Sequence, residues 1–267
     1  MPGTRIESEP YRGISGVEVY RVHHAAPGLR VEVSDAAPAV SPSEREQTER
    51  AWSAMCAGNP RLYSGPLLAV VSIDFENGVY HCRRDEFKRL AVQPSVRTGV
   101  QLLSVTGVLT ACNAVGRRHV LLGRRGVQTR VYPGMWELGP AGGVPPPHPH
   151  AGRDGLHEED LVAQLLEEGE EELGLRLDRA RVRPACLIAR DLIAHSDDVT
   201  FEIVHDEPGS MERLGEAMHA GGAHAWEYSQ TLWVPLDAIR QFDDAHADEI
   251  IITTRASFRG LGWIEDI

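Results

Sequence analysis

The residues best suited to chemistry form one acidic stretch, residues 159–175, with the sequence EDLVAQLLEEGEEELGL. On a helix, Glu168, Glu171 and Glu172 would stand at positions i, i+3 and i+4 and share one face, where like charges repel by about a few tenths of a kcal/mol per pair. A bound cation would remove that repulsion, and clustered carboxylate oxygens suit Mg²⁺ or Mn²⁺ better than zinc. The spacing therefore predicts a divalent-metal site, with a solvated acidic helix face as the alternative.

The same stretch also carries an apolar face that would position these carboxylates. Leu161, Leu165 and Leu173 recur at helical spacing beside the acidic face. Gly174 follows the last periodic residue and is suited to end a helix. Gly169 lies on the apolar side, where it predicts close approach of another element's backbone. We therefore predict an amphipathic helix with the glutamates at the edge of its packed face.

The acidic stretch and the glycine pair upstream of it resemble the Nudix hydrolase signature, G-x5-E-x7-R-E-U-x-E-E-x-G-U, in which U is a bulky apolar residue. From Glu159 to the end of the signature the register fits without gaps. Three positions depart from the pattern: Glu167 replaces the family's Arg, Gly169 replaces a bulky apolar residue, and fifteen residues instead of five separate Gly143 from Glu159. The added stretch is rich in Pro, His and Gly, which is typical of a surface loop.

The resemblance implies a fold, a cofactor and a set of roles. The fold would be the Nudix α/β/α sandwich with a mixed sheet over residues 96–267, and residues 1–95 would be an N-terminal α/β extension that contributes to the substrate pocket. Mg²⁺, or Mn²⁺, would be bound by Glu168, Glu171 and Glu172 with the Gly142 carbonyl. The same three glutamates would be catalytic. Glu227 would join them as a further ligand or general base, with a surface glutamate as the alternative.

The basic segment GRRGVQTR supplies candidates for binding phosphate. Arg124, Arg125 and Arg130 have the guanidinium geometry that matches phosphate oxygens. A solvated loop would explain the same residues. The sequence therefore leaves the role of this segment open between substrate binding and simple exposure.

The substrate implied by the resemblance is a nucleoside diphosphate linked to another moiety, which would be hydrolysed at its pyrophosphate bond. The segment NPRLYSG, residues 59–65, resembles a stretch that precedes the core of UDP-sugar-hydrolysing Nudix proteins, and it favours a UDP-sugar such as UDP-glucose. A helix stop followed by a turn would also explain it. An ADP-ribose-type compound is the second candidate substrate. The third alternative is a catalytically weak nucleotide-binding or regulatory protein. It is retained because Glu167 replaces the arginine of the family signature.

The amino-acid composition limits the possible binding partners and the cellular compartment. The chain has 267 residues, a net charge of −12 and a pI near 5.5, which argues against nucleic acid and anionic membranes as partners. The four cysteines have no CxxC spacing, as expected for reduced thiols in a cytoplasmic protein. No apolar run approaches a membrane span. His148, His150 and His157 lack the companion cysteines and the spacing of a zinc site.

Hydrophobic patterning and turn residues predict the elements that hold these residues. A capping box at Ser43 predicts a helix to Ala57 that buries Trp52 and Met55. We predict strands over residues 16–23, 29–33, 66–75, 79–83, 101–111, 119–124, 183–190, 199–205 and 231–234. Residues 132–143 are predicted to form a turn, a short strand and a glycine corner. Further helices are predicted over residues 86–91, 210–218, 236–242 and 247–258, with turns at residues 77–78 and 196–198.

Overall fold

The computed structural model describes residues 3–59, 62–148, 155–221 and 227–265. Within these ranges the strands are, in chain order, β1 (Arg5–Ile6), β2 (Val17–His23), β3 (Arg30–Ser34), β4 (Pro66–Asp74), β5 (Val79–Glu86), β6 (Leu102–Cys112), β7 (Arg118–Arg125), β8 (Trp136–Leu138), β9 (Ala141–Gly143), β10 (Gly155–His157), β11 (Val182–Asp191), β12 (Ser196–His205) and β13 (Tyr228–Pro235). The α-helices are α1 (Pro42–Gly58), α2 (Phe87–Ala91), α3 (Glu158–Leu173), α4 (Ser210–Gly221), α5 (Ile239–Ala245) and α6 (Ile252–Gly260). Short 3₁₀ helices lie at Arg179–Arg181 and Leu236–Ala238.

The strands form one large mixed sheet in the order β1-β2-β11-β12-β6-β4-β5-β3-β10. The pairs β12–β6 and β3–β5 are parallel, whereas β11 pairs antiparallel with both β2 and β12. Strand β6 is the central element, because its first half pairs with β9 and its second half with β7. Strand β7 in turn pairs with β8 and β13. The glycine corner in β9 is therefore held directly against the middle of the sheet.

Helices cover both faces of this sheet. On one face, Leu161 and Leu165 of α3 pack into a core that includes Ile188 of β11. On the other face, Leu187 of the same strand packs with Ala256 of α6. Neighbouring residues of a strand point to opposite faces, so α3 and α6 lie on opposite sides of the sheet. The predicted fold class, α/β with a mixed sheet between helices, is confirmed.

Helix α3 is anchored at both ends. The buried Glu158 accepts hydrogen bonds from the backbone N–H groups of Leu29, at 2.9 Å, and Ala185, at 3.3 Å. At the other end Gly174 adopts a left-handed conformation with φ 65° and donates to the carbonyl oxygen of Glu170, which confirms it as the C-terminal cap. The nearest approach to Gly169 is by the side chain of Leu177, since a Cβ at Gly169 would lie 2.6 Å from Leu177 Cδ1, and the Leu175 carbonyl oxygen follows at 3.6 Å. These contacts fix the direction in which the glutamates project.

The strands of the first 95 residues continue the sheet of the rest of the chain. Strand β2 pairs with β11, and β4 pairs with β6 through Ala69 and Leu102. Strand β10, just before α3, pairs with β3. The elements of residues 1–95 thus flank both the sheet and the start of α3, while the division of the chain at residue 95 stays a prediction.

Helix α1 differs from its predicted start and packing. It begins two residues earlier than the box at Ser43 would place it, because the Ser41 hydroxyl accepts from the Glu44 N–H at 3.1 Å and Pro42 occupies the first turn. Its buried residue is Thr48, whereas Trp52 and Met55 are only half-buried.

The predicted turn over residues 196–198 is also wrong. These residues are strand, paired with both β6 and β11. The reversal lies just before them, where the Asp191 carboxylate accepts from the N–H groups of Ile193 and Ala194, both at 2.7 Å. An aspartate that binds the backbone two and three residues ahead favours a turn at that point.

Helix α6 begins five residues later than predicted. The N–H of Trp136 donates to the carbonyl of Glu249, and the N–H of Ile251 donates to the carbonyl of Trp136. Residues 249–251 are therefore committed to pairing with β8 and are not available to a helix. In the described parts of the chain, no helix is long and apolar enough to cross a membrane.

Candidate active site

The predicted carboxylates meet in a cleft of about 890 Å³ beside β9. It is lined by side chains from α3, from the glycine corner, from the segment after β7 and from the region before α2. Its acidic lining residues are Glu137, Glu168, Glu171, Glu172 and Glu227. The cleft size lies within the range of ordinary small-molecule sites. The structure thus brings together all four predicted catalytic glutamates and Gly142.

Glu172 is the most deeply placed of the predicted glutamates, with 6% of its surface exposed. Its Oε2 accepts a hydrogen bond from the backbone N–H of Ala141 at 2.9 Å. Burial raises the pKa of Glu172 well above its usual range, and the Glu137 carboxylate adds to this rise. The chain therefore keeps a carboxylate where ionisation is costly, as expected if a cation offsets its charge.

Glu168 lies against Gly142. A Cβ at Gly142 would fall 1.9 Å from Glu168 Oε1, so only glycine leaves room for this carboxylate. Gln164 donates to the same oxygen at 2.8 Å. Burial raises the pKa of Glu168 to about 7, and the charges of Glu171 and Glu227 contribute. The close approach places the Glu168 carboxylate beside the backbone of the glycine corner.

The remaining predicted acidic residues lie farther out. Glu171 is exposed on α3 and lines the mouth of the cleft. Glu227 precedes β13, and its carbonyl oxygen accepts from the Gly126 N–H at 2.7 Å, which joins it to the loop after β7. Glu167, at the departure from the family pattern, is exposed and does not line the cleft.

The cleft fits Mg²⁺ or Mn²⁺ in the chemistry of its donors. Hard divalent cations take carboxylate and carbonyl oxygens, and the site offers Glu168, Glu171 and Glu172 beside a glycine corner that a Cβ would fill. In the described ranges, however, no three His, Cys, Asp or Glu side chains stand close enough together to hold a metal ion. The donors are therefore present on one surface but are not preassembled around an ion.

Glu137 is a buried acid that the sequence pattern did not single out. It lies on β8 with 7% of its surface exposed and receives two hydrogen bonds from Arg125 Nη1, at 2.7 and 2.9 Å. Burial raises the pKa of Glu137, and Arg125 opposes the rise. The sequence did contain a signal for Glu137: it is a charged residue in a short buried strand, twelve residues after an arginine. The pair joins the end of β7 to β8 in the wall of the cleft.

The three predicted arginines do not share one location. Arg130 lines the cleft, and its guanidinium lies 5.7 Å from the ring centroid of Phe87. In the described parts of the chain it has no hydrogen-bond or ion-pair partner. Arg125 also lines the cleft, but its guanidinium donates hydrogen bonds to Glu137 and to the Val131 carbonyl.

Arg124 lies away from the cleft. Its side chain donates to the Gly134 carbonyl at 2.9 Å and to Glu249 at 3.2 Å, and it covers the ring of the core residue Trp136. Successive strand residues alternate between faces, so Arg124 and Arg125 of β7 point in opposite directions. The structure therefore leaves Arg130 as the best placed of the three to meet an anion.

The segment before β4 forms the outer wall of the cleft. Leu62 and Tyr63 line it together with Phe87 of α2, and Tyr63 has 74% of its surface exposed. Pro60 and Arg61 of the NPRLYSG segment lie outside the described residues, as do residues 149–154 of the Pro/His loop. An exposed aromatic ring at the cleft edge offers a flat apolar surface to a ligand.

A smaller inner chamber of about 190 Å³ adjoins this cleft. The two cavities share Arg125, Arg130 and Glu137, together with the residues of β9. The chamber's own walls come from β6, β12, the turn after β11 and the start of α6. Besides the shared Glu137, its acidic residues are Asp191 and Asp198. Nothing in the sequence pattern links these two residues to the glutamate site.

The chain matches no model of a known protein family, and no curated protein matches it. Solved structures do match. They include the MutT protein from Methanosarcina mazei Go1 (19% identity over 61% of this chain and 92% of that one, TM-score 0.37) and a Nudix hydrolase from Alicyclobacillus acidocaldarius (16% over 58% and 90%, TM-score 0.37). A third is a bifunctional NMN adenylyltransferase/ADP ribose pyrophosphatase from Francisella tularensis, complexed with AMP and an Mn ion (11% over 66% and 45%, TM-score 0.40).

Proposed function

We propose that the chain is a Mg²⁺-dependent hydrolase that cleaves the pyrophosphate bond of a nucleoside diphosphate linked to a second moiety. The observation that carries the proposal is the meeting of Glu168 and Glu172 with the glycine corner, in a cleft where Arg130 is free to bind an anion. Buried carboxylates that face one another are costly without a cation. A diphosphate bound together with a divalent cation would satisfy both the carboxylates and the arginine.

Each group would have a distinct task. When bound, Mg²⁺ or Mn²⁺ offsets the charge of the diphosphate and lowers the pKa of a bound water. Glu168, Glu171 and Glu172 would hold it with the Gly142 carbonyl. Glu168 or Glu171 accepts the proton of the attacking water, and Glu227 is the alternative base.

The arginines would act on the substrate side of the same cleft. Arg130 binds phosphate oxygens, whereas Arg125 holds the wall through Glu137. The products would be a nucleoside monophosphate and a phosphorylated second moiety.

Among such substrates we propose a UDP-sugar, with an ADP-ribose-type compound as the alternative. The support is the placement of the NPRLYSG segment, whose Leu62 and Tyr63 line the cleft. Residues 1–95 would thus form part of the substrate pocket, as the resemblance implies. A cytoplasmic location and the lack of nucleic-acid partners remain predictions from composition.

The test is metal-dependent turnover. The protein is incubated with UDP-sugars, ADP-ribose and dinucleoside polyphosphates in Mg²⁺, and the release of nucleoside monophosphate is followed. We expect Glu172→Gln to lower kcat by about 100-fold or more, the range seen when one charge-stabilising group is lost. Glu167→Gln is the matched control, because it makes the same change on an exposed position of the same helix. Equal activity of the two variants would rule out the proposed role of Glu172.

A nucleotide-binding protein with weak or no catalysis is the second candidate. It is favoured by the absence of a preassembled group of three metal ligands among the described residues, and by Glu167 at the position of the family's arginine. The two candidates differ in one measurement. Tight nucleotide binding without metal-dependent turnover on any compound of the panel would establish the binding protein.

A further inference from the structure

The inner chamber is a second compartment of the same cleft. It opens beside Gly142, and the two compartments meet at residues that line both cavities, among them Arg125, Arg130 and Glu137. A molecule whose diphosphate lies at Arg130 would therefore extend into the chamber on one side. At about 190 Å³ the chamber is below the usual range of roughly 300–1,000 Å³ for whole-ligand sites. It is sized for one ring and not for a complete nucleoside.

Asp198 is the acidic group best placed to meet such a ring. It is half-buried and lines the chamber, and one carboxylate oxygen accepts a hydrogen bond from the Ser104 hydroxyl. The Ser196 side chain also donates a hydrogen bond to this carboxyl group. An ionised carboxylate has about four acceptor sites, so these two contacts leave capacity for donors from a ligand. Asp191, by contrast, is almost fully buried and is occupied by Ile193, Ala194 and the Tyr132 hydroxyl, each at 2.7 Å.

The rest of the lining combines apolar side chains, such as Val105, Leu138 and Ile251, with many hydroxyl groups. Hydroxyl side chains from three elements surround the chamber: Thr106, Ser196, Thr200, Thr253, Thr254 and Ser257. The described lining has one aromatic ring, Tyr132, and its hydroxyl is held by Asp191. Bases are commonly recognised by stacking on aromatic faces, which the outer cleft offers at the exposed ring of Tyr63. Carboxylate and hydroxyl groups instead match the several O–H donors and acceptors of a sugar ring.

We propose that the inner chamber binds the sugar attached to the distal phosphate, with Asp198 accepting hydrogen bonds from neighbouring hydroxyl groups of the sugar. The nucleoside would then lie in the outer cleft, and the diphosphate would lie beside Arg130. This inference rests on the proposed function, since it assigns a part of that substrate. It makes Asp198 a specificity residue that does not touch the reacting atoms.

The test measures binding without catalysis. Isothermal titration in EDTA at pH 8, where the Asp198 carboxyl group with its pKa raised to about 7 is ionised, compares UDP-glucose with UDP, and ADP-ribose with ADP, for the wild-type protein, Asp198→Asn and Asp206→Asn. Asp206 is the matched control, because it is an exposed aspartate just after the same strand, paired with Arg118. We expect the wild-type protein to bind a sugar-bearing ligand more tightly than its diphosphate. Asp198→Asn should reduce that preference by about 10- to 100-fold, the effect of losing a hydrogen bond to a charged group, and Asp206→Asn should retain it.

A ligand-side experiment covers the case in which Asp198→Asn does not fold. UDP-2-deoxyglucose and UDP-glucose are compared on the unaltered wild-type protein, together with a UDP-sugar that lacks the 3-hydroxyl group. We expect at least one deoxy analogue to lose most of the preference over UDP. If no analogue loses affinity, or if UDP and ADP bind as tightly as the sugar-bearing ligands, the sugar assignment is wrong. Turnover in Mg²⁺ is scored separately, so loss of the hydrolase proposal and loss of the sugar assignment are distinguishable.

Discussion

The Glu172 carboxylate accepts a hydrogen bond from the backbone N–H of Ala141 at 2.9 Å. This contact joins the acidic helix directly to the glycine corner, although the Pro/His loop separates them in the sequence. It fixes the position of α3 along β9. The preceding turn of the helix then places Glu168 over Gly142. The length of the intervening loop therefore does not disturb the site, because loop length adds only slowly to the cost of closure.

The fit between Glu168 and Gly142 can be tested by adding one methyl group. In Gly142→Ala the new Cβ would fall 1.9 Å from Glu168 Oε1, so the carboxylate has to move away. We expect the variant to fold, because a flexible side-chain end can yield, but to lose most metal-dependent activity. Initial rates as a function of Mg²⁺ concentration check this expectation.

Gly143→Ala is the control for that experiment. Its Cβ would meet only the methyl groups of Leu102, at 3.5 and 3.8 Å, which is ordinary contact. We expect near-normal rates and an unchanged melting temperature. Equal loss of activity in both variants would show that the glycine corner matters for its backbone and not for the room it gives Glu168.

The two arginines of the basic segment should behave differently on substitution. Arg130 lines both cavities without a hydrogen-bond or ion-pair partner in the described chain, whereas Arg124 covers Trp136 and binds Glu249. We expect Arg130→Gln to raise KM by about tenfold, since a charge-assisted hydrogen bond is worth roughly 1.5–3 kcal/mol. Arg124→Gln should lower the melting temperature and leave KM unchanged. Steady-state kinetics and thermal melts on the same preparations separate the two effects.

Much of the fold could be predicted from local patterns. The helix bearing the glutamates, its Gly174 cap and most strands follow from hydrophobic periodicity and turn residues. The errors occurred where a distant element decides the backbone. Residues 196–198 are strand because β6 and β11 lie on either side of them, and α6 starts late because residues 249–251 pair with β8. Such pairing is set by tertiary contacts, which a local window of sequence does not contain.

The candidate site could be predicted only in part for the same reason. Glu168, Glu171 and Glu172 were found because their spacing is itself a signal. Glu137 and Asp198 were not found, because the contacts that place them in the site come from other strands. These contacts are with Arg125 for Glu137 and with Ser104 for Asp198.

The Arg125–Glu137 pair should be important for stability. Both groups lie inside the wall between the two cavities, and two short hydrogen bonds join them. Glu137→Gln leaves the Arg125 charge without its partner, which typically costs about 3–5 kcal/mol for a buried pair. We expect a clear fall in the urea midpoint.

The exposed pair Arg117–Asp237 provides the comparison for this buried pair. Exposed ion pairs contribute little to stability, so Asp237→Asn should leave the urea midpoint unchanged. If both variants unfold at the wild-type midpoint, the wall does not depend on the Arg125–Glu137 ion pair.

The inner chamber should also make stability depend on pH. Burial raises the pKa of Asp198 to about 7, with added repulsion from Asp191 and Asp197, while hydrogen bonds from Ser104 and Ser196 oppose the rise. The folded state then holds a proton that the unfolded chain releases near the ordinary aspartate pKa of about 4. The contribution of Asp198 to stability is therefore present at low pH and is lost as pH rises through about 7.

As pH rises from about 4 to 8, we expect the unfolding free energy of the wild-type protein to fall relative to that of Asp198→Asn, since asparagine does not ionise. Urea titrations at intervals of one pH unit measure the difference. Asp206→Asn is the control, and its curve should run parallel to that of the wild-type protein, because Asp206 is exposed. A constant difference between Asp198→Asn and the wild-type protein over the whole interval would show that Asp198 is ionised in the folded state from low pH onward, held so by the hydroxyl groups around it.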